Sequence, residues 1–106
     1  MKVSNKLGVG FLEKVYENAL VIELKKINLK VEQQCSVKVY YEAIPIGDYC
    51  ADLIVNSSVI VELKSAKVID NIHEAQILNY LRASQLRIGL ILNFGTPRLG
   101  IRRFII

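Results

Sequence analysis

Cys50-Ala51-Asp52-Leu53-Ile54-Val55-Asn56-Ser57-Ser58-Val59-Ile60-Val61-Glu62-Leu63-Lys64 reads as two apolar strands joined by a short polar loop. Val59-Ile60-Val61 lacks polar alternation, which favours a central strand covered on both faces and so a mixed sheet with helices on its two sides. Against that background Glu62 and Asp52 are anomalies, because each interrupts a segment that a buried strand would fill with apolar residues. If Asn56-Ser57-Ser58 is a three-residue hairpin loop, Val55 faces Val59 and counting back sets Asp52 across from Glu62. The same register places Ala51, Leu53 and Val55 with Val59, Val61 and Leu63 on one apolar face. Two carboxylates directly opposed on a sheet repel, and a divalent cation between them removes the conflict. Oxygen ligands suit Mg²⁺ or Mn²⁺ better than Zn²⁺. Lys64 shares the face of Glu62, where its ammonium could hold an anionic oxygen or align an attacking water, as metal-assisted phosphodiester hydrolysis requires.

Outward from this core, Leu12, Val15, Tyr16, Ala19, Leu20, Ile22 and Ile27 recur at three- and four-residue steps and predict an amphipathic helix from Phe11 to about Ile27. Residues 30 to 41 are rich in Val and Tyr and predict a strand, and Pro45 with Gly47 predicts a turn before a strand from Asp48 to Val55. A second helix is signalled by Asn71 with Glu74 three residues on, and should end near Ser84. Arg87 to Phe94 and Ile101 to Ile106 read as strands about the turn Gly95-Thr96-Pro97. The expected order is α, β, β, β, α, β, β in a single domain spanning residues 1–106, a length suited to one hydrophobic core.

With 52% apolar and 23% charged residues the chain has a globular composition. Glu62, Lys64 and Arg87 break its most apolar stretches, so no membrane span is expected. Met1 to Gly10 lacks the apolar core of a signal peptide, and Cys35 and Cys50 fit buried free thiols, so the expected location is the cytoplasm. The net charge of +4 is unevenly spread: seven lysines face eight acids up to residue 63, whereas from Lys64 on there are seven Lys/Arg against Asp70 and Glu74. A basic C-terminal half can attract a polyanion. Lys38, Arg82, Arg87, Arg98, Arg102 and Arg103 are candidate backbone contacts, though each is more commonly a surface cation, and Tyr40, Tyr41 and Tyr49 suit strand packing better than base stacking.

The spacing from Asp52 to Glu62-Leu63-Lys64 resembles the D...ExK core of the PD-(D/E)XK nuclease superfamily. Gly10-Phe11-Leu12-Glu13-Lys14-Val15-Tyr16 resembles the motif that names its GxxExxY family. Further matches are Ala51-Asp52-Leu53, His73-Glu74-Ala75-Gln76, Leu78-Asn79-Tyr80-Leu81 and Leu92-Asn93-Phe94-Gly95, so the resemblance runs from about Val3 to Ile106. It implies an α/β, restriction-endonuclease-like αβββαβ core. It also implies Asp52 and Glu62 as metal ligands, Lys64 as the catalytic lysine, and Glu13 as the acid from the first helix that completes the metal and catalytic site. Gln76 and Tyr80, four apart on one helix face, are similar to the Gln-x-x-x-Tyr pair of RecB-like members, and could line the cleft, bind phosphate or orient Lys64. His73 could approach that face, but a solvent-exposed capping-turn histidine is the commoner case.

The implied function is Mg²⁺- or Mn²⁺-dependent hydrolysis of nucleic acid, DNA favoured because the superfamily mostly cleaves DNA. The alternative is a non-catalytic nucleic-acid or protein-binding module on the same fold. The chain departs from the family pattern before Leu7-Gly8-Val9-Gly10, where a further amphipathic segment is mostly missing and Ser4 stands for the usual histidine. A shortened N-terminus of this kind would favour a homodimer or a partner covering an exposed apolar groove.

Overall fold

The computed structural model describes residues 1–106. Its elements are α1 (Lys2–Leu7), α2 (Glu13–Lys26), β1 (Val31–Tyr41), β2 (Ile44–Val55), β3 (Val59–Lys64), α3 (Asn71–Ser84), β4 (Ile88–Asn93) and β5 (Gly100–Ile105). The five strands form one sheet in the order β1-β2-β3-β4-β5. All neighbours are antiparallel except β3 and β4, which run parallel and are joined through α3, since a parallel pair needs a crossover. Val55 pairs with Val59, as a three-residue loop dictates.

Helices cover both faces of the sheet. On one face Val3 of α1 and Tyr16, Leu20 and Val21 of α2 pack on Leu53, Val61, Leu63, Leu92 and Phe94. On the other, Leu81 of α3 packs on Ala51, Ile54 and Ile60. Gly89 lets α3 lie close, for a Cβ there would meet Ile77 Cδ1 at 2.8 Å.

Five expectations need correction. The N-terminal segment forms the short helix α1, whose Val3 is buried in the core. Pro45 and Gly47 lie inside β2, and the turn is Glu42-Ala43, with φ of 49° and 65°. Such a left-handed two-residue hairpin turn normally advertises itself with Asn or Gly, and this one does not. Pro45 is tolerated because residues 44–50 of β2 pair with β1 alone, leaving one side without a ladder to break. Ala51 packs on the α3 side rather than with Leu53, because the β1–β2 ladder skips Gln34 and Asp52, and Gln34 has φ 50°. Cys50 is exposed, its neighbour Tyr49 being the residue that packs on α3, and both thiols are free. Finally, α3 is capped by Asp70, whose Oδ1 accepts from the N–H groups of Ile72 (3.0 Å) and His73 (3.1 Å), while Glu74 pairs with Arg102 of β5.

Tyr16 is fully buried, stacks on Phe94 at 4.5 Å, donates its hydroxyl proton to Gly8 O (2.6 Å) and accepts from Phe11 N–H (3.2 Å). It thereby ties the glycine-containing loop to the start of α2. Tyr16→Phe removes both hydrogen bonds and should cost about 0.5–1.5 kcal/mol in a urea melt, since Gly8 and Phe11 are exposed enough for water to replace the lost partner. At Gly95 a Cβ would run into the backbone of Ala66, which cannot move aside as a side chain can. Gly95→Ala should therefore destabilise the fold by about 1–3 kcal/mol or more by the same measurement.

Candidate active site

The pairing of β2 with β3 extends from Val55↔Val59 to Leu53↔Val61 and then stops. One step further, the Asp52 side chain takes over, its Oδ2 accepting the Leu63 N–H at 2.9 Å. Glu62 lies beside it on β3, between Val61 and Leu63 and paired with Ile91 of β4. That central position leaves Glu62 only 6% exposed. Burial first, and the neighbouring Asp52 carboxylate second, push the Glu62 carboxyl from an ordinary 4.5 up to about 9, while the Lys64 ammonium pulls the other way. Glu62 Oε1 is buried with no hydrogen-bond partner, a costly state for a carboxyl oxygen. The structure therefore brings Asp52 and Glu62 together, with Lys64 two residues on and half-buried at the end of β3.

Glu13, the first residue of α2, reaches the same strand end, where its Oε2 accepts the Ser65 N–H at 3.2 Å. It contacts the residue after Lys64 and is not gathered with the carboxylate pair: no three His, Cys, Asp or Glu side chains converge as a metal cage. On α3, Tyr80 is partly buried and its ring stacks on Tyr49 at 3.7 Å, with Tyr49 Oη donating to the Tyr80 carbonyl at 3.0 Å. Burial, and then the Glu62 charge, raise both phenols above their usual range. Gln76, one turn earlier on the same helix face, is exposed to solvent. His73 serves the cap, its Nδ1 accepting the Asp70 N–H at 3.3 Å.

Two supporting residues were not singled out in the sequence. Asn93 is buried, accepts from Ala66 N–H (3.0 Å) and Gly95 N–H (3.0 Å) and donates to Ala66 O (2.9 Å), clamping the segment that leaves β3. Its signal was a polar residue closing the apolar run Ile88 to Leu92. Glu17 is buried on α2 and accepts from Gln33 Nε2 (2.7 Å), Gln34 Nε2 (2.9 Å) and Lys14 Nζ (2.9 Å). It fixes the irregular stretch of β1 that faces Asp52, a role without a local sequence signal.

The arrangement fits a hard divalent cation in one respect that the structure shows directly: two adjacent carboxylates, one with an orphaned buried oxygen, form an oxygen donor set that gains by acquiring a cation. No helix is long and apolar enough to cross a membrane. No curated protein matches the sequence. The fold is similar to that in the crystal structure of SSO0001, with a TM-score of 0.62 and 18% identity, covering 87% of this chain and 48% of that one. The chain thus spans about half the length of that protein, and the likeness is one of fold. Residues 1–104 match the PD-(D/E)XK nuclease superfamily. With its five-stranded mixed sheet, its helices on both faces and Asp52 set beside Glu62-Leu63-Lys64, the chain belongs to that superfamily.

Proposed function

We propose that the chain hydrolyses phosphodiester bonds in nucleic acid, DNA before RNA, with Mg²⁺ or Mn²⁺ held by Asp52 and Glu62. The observation that carries this reading is the buried Glu62 carboxyl beside Asp52, with an oxygen left unpartnered. A fold does not retain such a pair at the end of a central strand for stability, since it costs desolvation and repulsion together. A cation bound there supplies Lewis acidity and charge neutralisation at the phosphoryl group.

The protein's own residues do the rest. Asp52 keeps its carboxylate fixed through the Leu63 N–H, so the donor set is oriented before any ligand arrives. Lys64 offers its ammonium to a phosphate oxygen or to the attacking water, stabilising negative charge as it grows. Glu13 holds Ser65 by its N–H and so steadies the backbone next to Lys64, in addition to the catalytic and metal role its motif implies. Gln76 and Tyr80 line the substrate side from α3. Water attacks phosphorus, one P–O ester bond breaks, and the leaving oxygen takes up a proton.

A second reading, a binding module that keeps the fold without catalysis, draws on the position of Glu13 away from the carboxylate pair. Incubation of purified protein with single- and double-stranded DNA and RNA, in Mg²⁺ or Mn²⁺ and beside Glu62→Ala, separates the two. Cleavage by the wild type alone supports hydrolysis. Equal cleavage by both proteins identifies a contaminant and defeats it.

A further inference from the structure

The outer half of the β1–β2 hairpin pairs with no other strand, yet it does not stand free of the molecule. Between it and α3 runs a groove of about 630 Å³ that includes Lys38 and Tyr40 on one wall, Asn79 and Arg82 on the other, and the stacked Tyr49 and Tyr80. No carboxylate lines it. Lys38 forms no ion pair, and Arg82 is held only by a neutral partner, Asn79 Oδ1 at 3.2 Å. Contrary to the expectation that the strand tyrosines serve packing, Tyr40 is 59% exposed. The β1–β2 register shifts between Val39 and Tyr40, a bulge of the kind that re-aims a side chain, and both residues line the groove.

We propose that this groove seats an unpaired nucleic-acid strand, with a base stacked on Tyr40, its phosphates met by Lys38 and Arg82, and its path leading past Tyr80 to Asp52 and Glu62. The proposal rests on the nuclease reading and narrows its substrate to single-stranded or frayed segments. Three features carry it. The groove is lined by two cations and no acid, neither cation being in an ion pair although Asp48 faces Lys38 across the β1–β2 ladder, which favours a polyanion over a neutral or basic partner. Its exposed aromatic ring offers a flat apolar face, and only an unpaired base can present the matching face, because a duplex hides its own in the stack. The stacked tyrosines join the groove to the strand that carries Asp52: Tyr49 and Tyr80 both line the groove, and Tyr49 lies three residues before Asp52 on β2. A strand in the groove thereby runs along β2 toward the candidate metal pair.

The test is fluorescence anisotropy of a labelled twelve-nucleotide single-stranded DNA and of the duplex of the same sequence, with metal-free protein so that nothing is cleaved. The single strand should bind roughly tenfold tighter than the duplex or better. Tyr40→Ala should weaken single-strand binding roughly tenfold, with Tyr40→Phe restoring it, and Lys38→Gln and Arg82→Gln should each flatten the salt dependence by about one counterion. Arg98→Gln, in the β4–β5 connection away from the groove, should change neither affinity nor salt slope. Circular dichroism confirms that each variant is folded. Equal or tighter duplex binding, no binding to either probe, or single-strand affinity indifferent to Tyr40→Ala overturns the groove. These outcomes are separable from failure of the nuclease reading, since Tyr40-dependent binding without metal-dependent cleavage retains the groove and rejects hydrolysis, and cleavage with an indifferent Tyr40 does the reverse.

Discussion

Glu62→Gln is expected to lower metal-dependent cleavage by about 10³-fold or more while leaving single-strand affinity in the absence of metal unchanged. The amide keeps the shape of the side chain but removes the anionic oxygen that a divalent cation requires. Lys64→Met should cost about 10²–10³-fold in turnover with little loss of cation affinity, because the ammonium acts on the charge that develops at phosphorus and not on the metal. The two variants together thus distinguish a residue that holds the cation from one that acts beside it. Single-turnover cleavage of a labelled strand at saturating Mn²⁺ measures both. If Glu62→Gln keeps full activity, Glu62 is not a ligand.

The second large effect lies in stability rather than activity, and it needs no substrate. In the folded, metal-free protein Glu62 keeps its proton up to about pH 9, whereas in the unfolded chain it loses it near 4.5. Between those values the folded state binds the extra proton, so this group's contribution is fully present below about pH 4.5 and is lost as pH rises through about 9. The slope approaches about 1.4 kcal/mol per pH unit at most, so the loss from pH 5 to pH 8 is on the order of several kcal/mol, a large share of the stability of a small domain. Urea melts of metal-free wild type at pH 5, 6.5 and 8 should show this decline, and Glu62→Gln should flatten it and be the more stable protein at pH 8. Mn²⁺ should reverse the order, since a ligand that binds only the folded state adds about 2.7 kcal/mol at a hundredfold excess over Kd. A wild type with flat stability between pH 5 and 8 would show that Glu62 is not buried as a neutral acid.

Much of the architecture was legible because the deciding signals were local. Val59-Ile60-Val61 announced a strand covered on both faces, and Asn56-Ser57-Ser58 fixed the pairing of Val55 with Val59. From these two features the meeting of Asp52 and Glu62 followed, even though the ladder itself ends at Leu53↔Val61. The departures came where tertiary structure overrode local preference. Glu42-Ala43 makes a left-handed turn without a glycine, so Pro45 drew the turn signal although it sits in a strand with one unpaired side. Asp70, one residue before the expected cap, won because its carboxylate accepts from two N–H groups at once. Ala51 crossed to the α3 face because Gln34 interrupts the strand alternation, and what steadies Gln34 is Glu17, seventeen residues away on a helix. Contacts of that range leave no periodicity to read. The placement of Glu13 against Ser65 likewise depends on how α2 meets the end of β3, a geometry the motif spacing does not contain.

Calorimetric titration of metal-free protein with Mn²⁺ at pH 7, in two buffers of different ionisation enthalpy, addresses the carboxylate pair most directly. Metal ligands must give up their protons, and Glu62 holds one at this pH. Wild type should therefore bind Mn²⁺ with release of about one proton per cation, and Glu62→Gln should lose both the binding and the release. A wild type that takes up no Mn²⁺ at millimolar concentration, or that binds it identically after Glu62→Gln, would contradict a cation site at Asp52 and Glu62.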